Sequence, residues 1–284
     1  SSSGKETGKF PIFLILIDTL RADNLSCYGY ERKTSPHMDQ LASEGILFEN
    51  AFSSSPWTIP SVATLFSGLY PSAHQVFYFD SVLSPEVLTL AECLRGVGYT
   101  TAGFFANQLI DYRHGFRKGF DITYPPADPD WFFHRNTSLE KLTELIVSDA
   151  DFQRGYRIIQ KTTSWIKCQS NEQVFCYMHF MEPHAPYIPP EPYKSRFLPE
   201  GLNPLGQTPE RNEDGSWPAL PEDQRQSLLS QYDGEIAYMD ALLGEFFGFL
   251  RDTGWYDKSL ILLIADHGEE IYEHGGWAHH EKRY

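Results

Sequence analysis

Long apolar runs are missing from this sequence: none approaches the ~20 consecutive residues of a membrane-spanning helix. Excess positive charge is missing too. Lysine and arginine number 23 against 38 aspartates and glutamates, for a net charge of −15. That argues against nucleic acid as a partner, which calls for a basic face, and against a broad anionic lipid surface. A chain this acidic that handles an anion needs local cations, and a bound metal ion is the usual source. Cysteine is scarce. Cys27, Cys93, Cys168 and Cys176 show no metal-ligand spacing, and their even number permits disulfides without requiring them. Cys176, inside an apolar run, reads as a buried thiol. There is no internal repeat and no signal-peptide pattern. The opening S-S-S-G-K-E-T-G-K is polar. Residues 1–8 are expected to form a disordered leader, either a tag remnant or the spacer left by an export or lipid-anchor signal. A periplasmic or secreted location is expected over a cytoplasmic one. Asn24 and Asn136 stand in N-x-Ser/Thr sequons.

What is present is enough for a core: 41% of the 284 residues are hydrophobic. Phe10 to Ile17, F-P-I-F-L-I-L-I, suits a strand of a parallel sheet buried on both faces. Val174 to Phe180 and Ser259 to Ile264 read the same way, and Gly98 to Ala106 as a further strand. Ile46 to Phe52 is a short strand candidate. Helical patterns run from Ser35, as a cap before Pro36, to Gly45, then over Leu83–Gly96, Leu139–Trp165 and Glu222–Arg251. Tyr112 to Pro129 and the proline-rich 190–221 stretch read as loops, the second a rim or lid. Strands alternating with helices predict an α/β fold: a doubly wound, mostly parallel central sheet with helices on both faces.

The polar residues that follow the strands carry the chemistry. Asp18 follows the first strand, Glu182 and His184 the Val174–Phe180 strand, and Asp266 with His267 the last. Strand ends on one edge of a parallel sheet converge, and ligands bind there. Asp18, Asp266 and His267 form a carboxylate, carboxylate, imidazole set. It suits one divalent ion, Zn²⁺ or Mn²⁺, with Ca²⁺ a third option. Asp18 read alone is equally a cap for the next turn, and Arg21 with Asp23 forms a local ion pair. Thr58 stands directly before an apolar segment with Pro60 early in it and Gly68 and Pro71 at its end, and reads as a helix N-cap. Two roles are open to a hydroxyl there: a cap alone, or a nucleophile beside a bound anion, at the positive end of a helix. Coordination to the ion would make Thr58 both a fourth ligand and a stronger nucleophile. His184 and His279 are candidates to bind substrate oxygens or protonate a leaving group.

I-L-I-D-T-L-R-A-D-N-L-S-C-Y-G-Y, then P-W-T-I-P-S-V-A-T-L-F-S-G-L-Y-P, then H-F-M-E-P-H-A-P-Y, then I-A-D-H-G-E-E-I-Y-E-H-G-G-W-A-H resembles the sulfatase-like branch of the alkaline phosphatase superfamily in order and spacing, from about Phe10 onward. The resemblance implies an α/β sandwich and transfer of sulfuryl or phosphoryl groups by a nucleophile that also ligates the metal. It places Thr58 at the nucleophile, Asp18, Asp266 and His267 at metal positions, His184 at a substrate-anion position, and His279 where many sulfatases carry a lysine. The departures are informative. The C-x-P-S-R or S-x-P-S-R frame, whose first residue becomes formylglycine, reads T-I-P-S-V here. Thr58 is no substrate for that modification, and Val62 replaces the arginine. Thr19 replaces a second Asp, His267 an Asn, and Phe79 lies near a position often held by a substrate-binding Asn. These changes lean toward phosphodiesterase, phosphonate-ester hydrolase and phospho-headgroup transferase members that use an unmodified Thr.

The sequence therefore predicts a leader over 1–8 and a catalytic domain over 9–284. The resemblance implies further strands and a C-terminal subdomain past Tyr284, so a core lacking that subdomain is expected. The expected activity is metal-dependent hydrolysis of a sulfate ester, phosphate ester or diester, or phosphonate ester, small or linked to a glycan or lipid. A phosphoethanolamine- or glycerol-phosphate-type transferase and a non-catalytic binding derivative of the fold are the alternatives. Oligomeric state is not legible.

Overall fold

The computed structural model describes residues 9–110, 112–124, 154–205, 209, 211–212 and 214–279. The expected leader, the Asn136 sequon and the part of the Leu139–Trp165 helix before Arg154 lie outside them. Among the described residues no helix is long and apolar enough to cross a membrane.

Five strands form one sheet in the order β3-β2-β4-β1-β5: β1 (Ile12–Ile17), β2 (Thr100–Phe105), β3 (Ile122–Tyr124), β4 (Val174–Phe180) and β5 (Leu260–Ala265). Every pairing is parallel. The apolar run of β1 is explained by its place between β4 and β5, where both faces are covered. Successive side chains alternate between the faces. Phe13, Ile15 and Ile17 join Cys176, Met178 and Phe180 of β4 in a core built against α5 (Arg154–Lys167) and the 31-residue α7 (Glu222–Asp252). Leu14 and Leu16 join Phe175 and Tyr177 in a second core against α2 (Thr58–Ser67) and α4 (Leu90–Gly96). Helices thus cover both faces, as the sequence predicts. Among the described residues the other α-helices are α1 (Pro36–Glu44), α3 (Pro71–His74) and α6 (Tyr193–Arg196), and β6 (Glu270–Ile271) pairs antiparallel with β7 (Trp277–Ala278).

Several expectations are corrected. Ile46–Phe52 forms no strand: it makes no ladder, and Ile46 and Phe52 are 82% and 89% exposed. The Leu83–Gly96 helix is confined to Leu90–Gly96. Thr89 accepts from the Glu92 N–H while the Glu92 carboxylate accepts from the Thr89 N–H, a capping box that sets the start. Leu83 instead gives its N–H to the His114 carbonyl. Within the Tyr112–Pro129 loop, Ile122–Tyr124 adds β3 to the sheet. Within the 190–221 loop, only Tyr193–Arg196 is helical among the described residues. All four cysteines are free, and Cys176 is buried.

The start of α1 depends on a carboxylate from another helix. Asp240 of α7 accepts from the backbone N–H groups of His37 and Met38, two donors with no partner inside α1. Burial pushes the Asp240 carboxyl up to about 6, against the lowering effect of those two N–H groups. Asp240→Ala should cost about 1–2 kcal/mol of stability by urea denaturation, the usual scale of a lost cap. The folded state binds this proton more tightly than the unfolded chain, so the Asp240 contribution to stability falls as pH rises from about 4 to 6. Asp240→Asn should remove that fall, seen as a wild-type-minus-variant stability difference that shrinks across the same window.

Candidate metal and nucleophile site

The parallel register delivers two acids side by side. Ile17 of β1 pairs with Ala265 of β5, so the next residues, Asp18 and Asp266, leave the sheet together at its carboxyl edge. Both are buried. Past Asp18 the chain turns at Thr19 with φ 57°, an uncommon conformation for a β-branched residue. The turn aims the Thr19 N–H at Asp266 Oδ1, 3.3 Å away, and the Tyr232 hydroxyl of α7 holds the Thr19 carbonyl at 2.7 Å. Strain held in place by such contacts is common at functional sites.

Each carboxylate has one oxygen engaged and one left over. Asp18 Oδ2 accepts from Asn107 Nδ2 at 2.6 Å and His179 Nε2 at 3.3 Å, and Asp266 Oδ1 accepts from the N–H groups of Thr19 and His267. Asp18 Oδ1 and Asp266 Oδ2 are buried with no hydrogen-bond partner. His267 Nδ1 lies 2.9 Å from the Gly268 carbonyl, which can only accept, so Nδ1 carries the proton. The Nε2 lone pair then faces Asp18 Oδ1 at 3.5 Å, Asp266 Oδ2 at 3.4 Å and Thr58 Oγ1 at 3.3 Å. The three ligand atoms of Asp18, Asp266 and His267 all lie within 4.8 Å of one another. Two carboxylate oxygens and a lone pair converge in a buried space, a donor set that could hold a divalent cation.

Electrostatics agree. Burial would raise the Asp18 carboxyl, but the hydrogen bond from His179 and the charges of His184, His267 and His179 outweigh it and hold the acid well below the usual range. Asp266 is pushed up, first by burial and then by the charge of Asp18. Burial lowers the His267 imidazole, yet Asp266 and Asp18 draw it above its ordinary value. One acid keeps its charge, and a proton is drawn toward the space where a cation fits.

Thr58 takes a different local role from the one expected. It is the first residue of α2, and the cap position belongs to Trp57, whose backbone is extended. A helical Thr58 does not fold its hydroxyl back over the helix start, which leaves Oγ1 directed at His267. Pro60 lacks an N–H at a position where none would be bonded within the helix. The start of α2 is tied to the β5 edge by Ser53, whose hydroxyl contacts the carbonyl oxygens of Ser55 and Asp266. Val62 is fully buried in the core against the sheet.

His184 and His279 stand beside this group. The His279 ring centre lies 4.5 Å from that of His267 and 4.9 Å from that of His184. His279 Nδ1 is 2.7 Å from Glu269 Oε1, and the other oxygen of Glu269 accepts from the Ala185 N–H at 3.4 Å. Despite its burial, the charge and hydrogen bond of His279 and the charges of His184 and His267 hold the Glu269 carboxyl below its usual range. Glu182 turns elsewhere: it accepts from the Gly155 N–H of α5, and burial pushes its carboxyl up. Phe79 presents a half-exposed ring, and its carbonyl accepts from His114 Nε2. Sequence reasoning missed Asn107, His179 and Glu269. Asn107 lies just past β2 in no motif, and His179, buried within β4, opens the H-F-M-E-P-H stretch but was given no role there. Glu269 was visible two residues after His267.

A family model described as Sulfatase matches residues 11–284. Iduronate 2-sulfatase of Mus musculus is 25% identical over 319 residues, an alignment covering 96% of this chain and 57% of that protein. The structure is similar to that of a phosphonate monoester hydrolase of Agrobacterium radiobacter, with a TM-score of 0.75 at 23% identity, covering 97% of this chain and 66% of the other. It is also similar to the C-terminal periplasmic domain of EcEptC from Escherichia coli in complex with Zn, with a TM-score of 0.65 at 17% identity, covering 97% and 70%. At these identities the two structural likenesses establish the fold.

The crowding of acceptors makes a stability prediction. Asp266→Asn puts an amide N–H₂ donor where Oδ2 has no partner. In the presence of a chelator the variant should unfold at a higher temperature than the wild type, by the equivalent of about 1 kcal/mol or more. Added Zn²⁺ or Mn²⁺ should raise the melting temperature of the wild type and not that of the variant.

Proposed function

Because this chain belongs to the sulfatase family, we propose that it hydrolyses a sulfate, phosphate or phosphonate ester with Thr58 as the attacking group and one divalent ion as cofactor. The chain spans 57% of the length of the mouse relative, so activity and substrate are inferred from the site. The observation that carries the reading is the convergence of Asp18 Oδ1, Asp266 Oδ2, His267 Nε2 and Thr58 Oγ1 in one buried space. When bound, the ion supplies positive charge that lowers the pKa of the hydroxyl and offsets negative charge on the non-bridging oxygens.

The residues then divide the work. Thr58 Oγ1 gives up its proton to solvent and attacks sulfur or phosphorus in line, and the bond to the ester oxygen breaks. His279 is positioned to donate to that leaving oxygen: its Nδ1 is engaged by Glu269, which orients the ring. His184 Nδ1 is turned to the Ala185 carbonyl, so its Nε2 also serves the substrate side, binding a non-bridging oxygen. Water, giving a proton back to His279, then attacks the sulfur or phosphorus held on Thr58; the Thr58 oxygen leaves and takes up a proton from solvent, and the acid is released. The α2 N-terminus favours the anion throughout.

The donor set also narrows the metal. Each acid offers one free oxygen, and an imidazole nitrogen and a hydroxyl complete the set. Few ligands with a nitrogen among them suit Zn²⁺ or Mn²⁺ better than Ca²⁺, which takes six to eight oxygens.

The test is turnover of a panel of aryl sulfates, phosphodiesters and phosphonate monoesters with added Zn²⁺ or Mn²⁺. Thr58→Ala should lower kcat on the best substrate by ~10³-fold or more, the scale of losing a nucleophile, while Thr58→Ser retains measurable turnover. Unchanged kcat in Thr58→Ala would remove Thr58 from this role. A wild-type protein that binds the ion and turns over no ester, with or without a glycan or lipid acceptor, would instead favour a binding derivative of the fold.

A further inference from the structure

The central strand carries a chain of hydrogen bonds that the reaction leaves unassigned. Tyr177 and His179 stand two residues apart on β4 and share the face that packs toward α2. The Tyr177 hydroxyl lies 2.9 Å from His179 Nδ1, and His179 Nε2 lies 3.3 Å from Asp18 Oδ2. Asn107 Nδ2 reaches the same oxygen at 2.6 Å. All four side chains are buried. A carboxylate can only accept, so His179 Nε2 donates, and a neutral His179 has its Nδ1 lone pair free for the Tyr177 hydroxyl. The Tyr177 ring is held in turn by Phe66 and Phe105, with ring centres 4.8 and 5.5 Å away. The chain therefore runs from the aromatic core to one oxygen of Asp18.

We infer that Tyr177, His179 and Asn107 are positioning residues that occupy Asp18 Oδ2 and so present Oδ1 alone to the ion. This rests on the metal-dependent reading of the site. A carboxylate free to turn can grip a large cation with both oxygens, as Ca²⁺ sites do. Here a two-oxygen grip by Asp18 breaks two buried hydrogen bonds. Asp266 obeys the same rule, but its Oδ1 is engaged by the backbone N–H groups of Thr19 and His267, which side-chain truncation leaves in place. Asp18 is therefore where side chains enforce one-oxygen binding, and where that enforcement can be taken away. Partners of this kind hold a ligand's orientation and tune the ion it binds.

The experiment reads metal binding, separate from turnover. The intact protein, stripped of metal, is titrated with Co²⁺ and with Ca²⁺ by calorimetry and visible absorption, as wild type, Tyr177→Phe, His179→Ala and His179→Gln. His179→Ala should bind Co²⁺ about 10–100-fold more weakly, shift the preference toward Ca²⁺, and weaken the visible Co²⁺ bands as the coordination number rises. His179→Gln, which keeps an N–H donor, should recover much of the loss. Tyr177→Phe, which removes one oxygen and keeps the ring, should weaken Co²⁺ several-fold, and it carries the test alone if His179→Ala fails to fold. Folded variants with wild-type Co²⁺ affinity, spectrum and Ca²⁺ preference would overturn the positioning role and leave the metal site standing. A wild-type protein that takes up neither ion would overturn both.

Discussion

Four polar atoms meet at the carboxyl edge of the sheet, and the one donor among them, the Thr58 hydroxyl, can pair with only one of the rest. Asp18 Oδ1 and Asp266 Oδ2 are buried without partners, and the His267 lone pair and the Thr58 hydroxyl face the same space. Left so, the arrangement opposes folding, because unpaired buried carboxylate oxygens repel one another and miss their hydration. The surrounding structure holds it against that cost. Parallel register brings the two acids out side by side, the Thr19 turn locks Asp266, and Ser53 ties the start of α2 to the Asp266 backbone. Both cores brace the edge: α7 reaches it through Tyr232, and α2 brings Thr58 to it.

This arrangement gives each partner one task. The engaged oxygen of each acid fixes orientation, and the other oxygen is left facing the site. His267 is divided the same way, with Nδ1 held by the Gly268 carbonyl and Nε2 left for the site. His279 is oriented by Glu269. Local hydrogen bonds thus decide which atom of each side chain is available, and the chemistry follows from the atoms that remain. In this chain the residue at the start of α2 is a threonine and Val62 lies in the core, and the proposed attack by an unmodified hydroxyl, in place of a modified cysteine or serine, rests on that.

Much of this was legible in the sequence. The apolar runs of β1, β4 and β5 announced a parallel sheet, and the residues just past them, Asp18, His184, Asp266 and His267, announced the edge at which they gather. The errors were local. Ile46–Phe52 had the composition of a strand and no neighbour to pair with. Leu83–Val87 had helical spacing, but the Thr89–Glu92 capping box set the start further on. Thr58 looked like a cap because capping residues and first-turn residues share the same chemistry. Asn107 and His179 were illegible for a deeper reason: their roles depend on which oxygen of Asp18 they reach, and that is set by strand order, which no local pattern encodes.

The central claim is that the site holds one divalent ion on one oxygen of each acid. The most direct measurement is anomalous scattering from crystals grown with Zn²⁺ or Mn²⁺. The account predicts one peak per chain, within bonding distance of Asp18 Oδ1, Asp266 Oδ2, His267 Nε2 and Thr58 Oγ1. No peak there at saturating metal, or an ion gripped by both oxygens of Asp18 with His267 turned away, would contradict it.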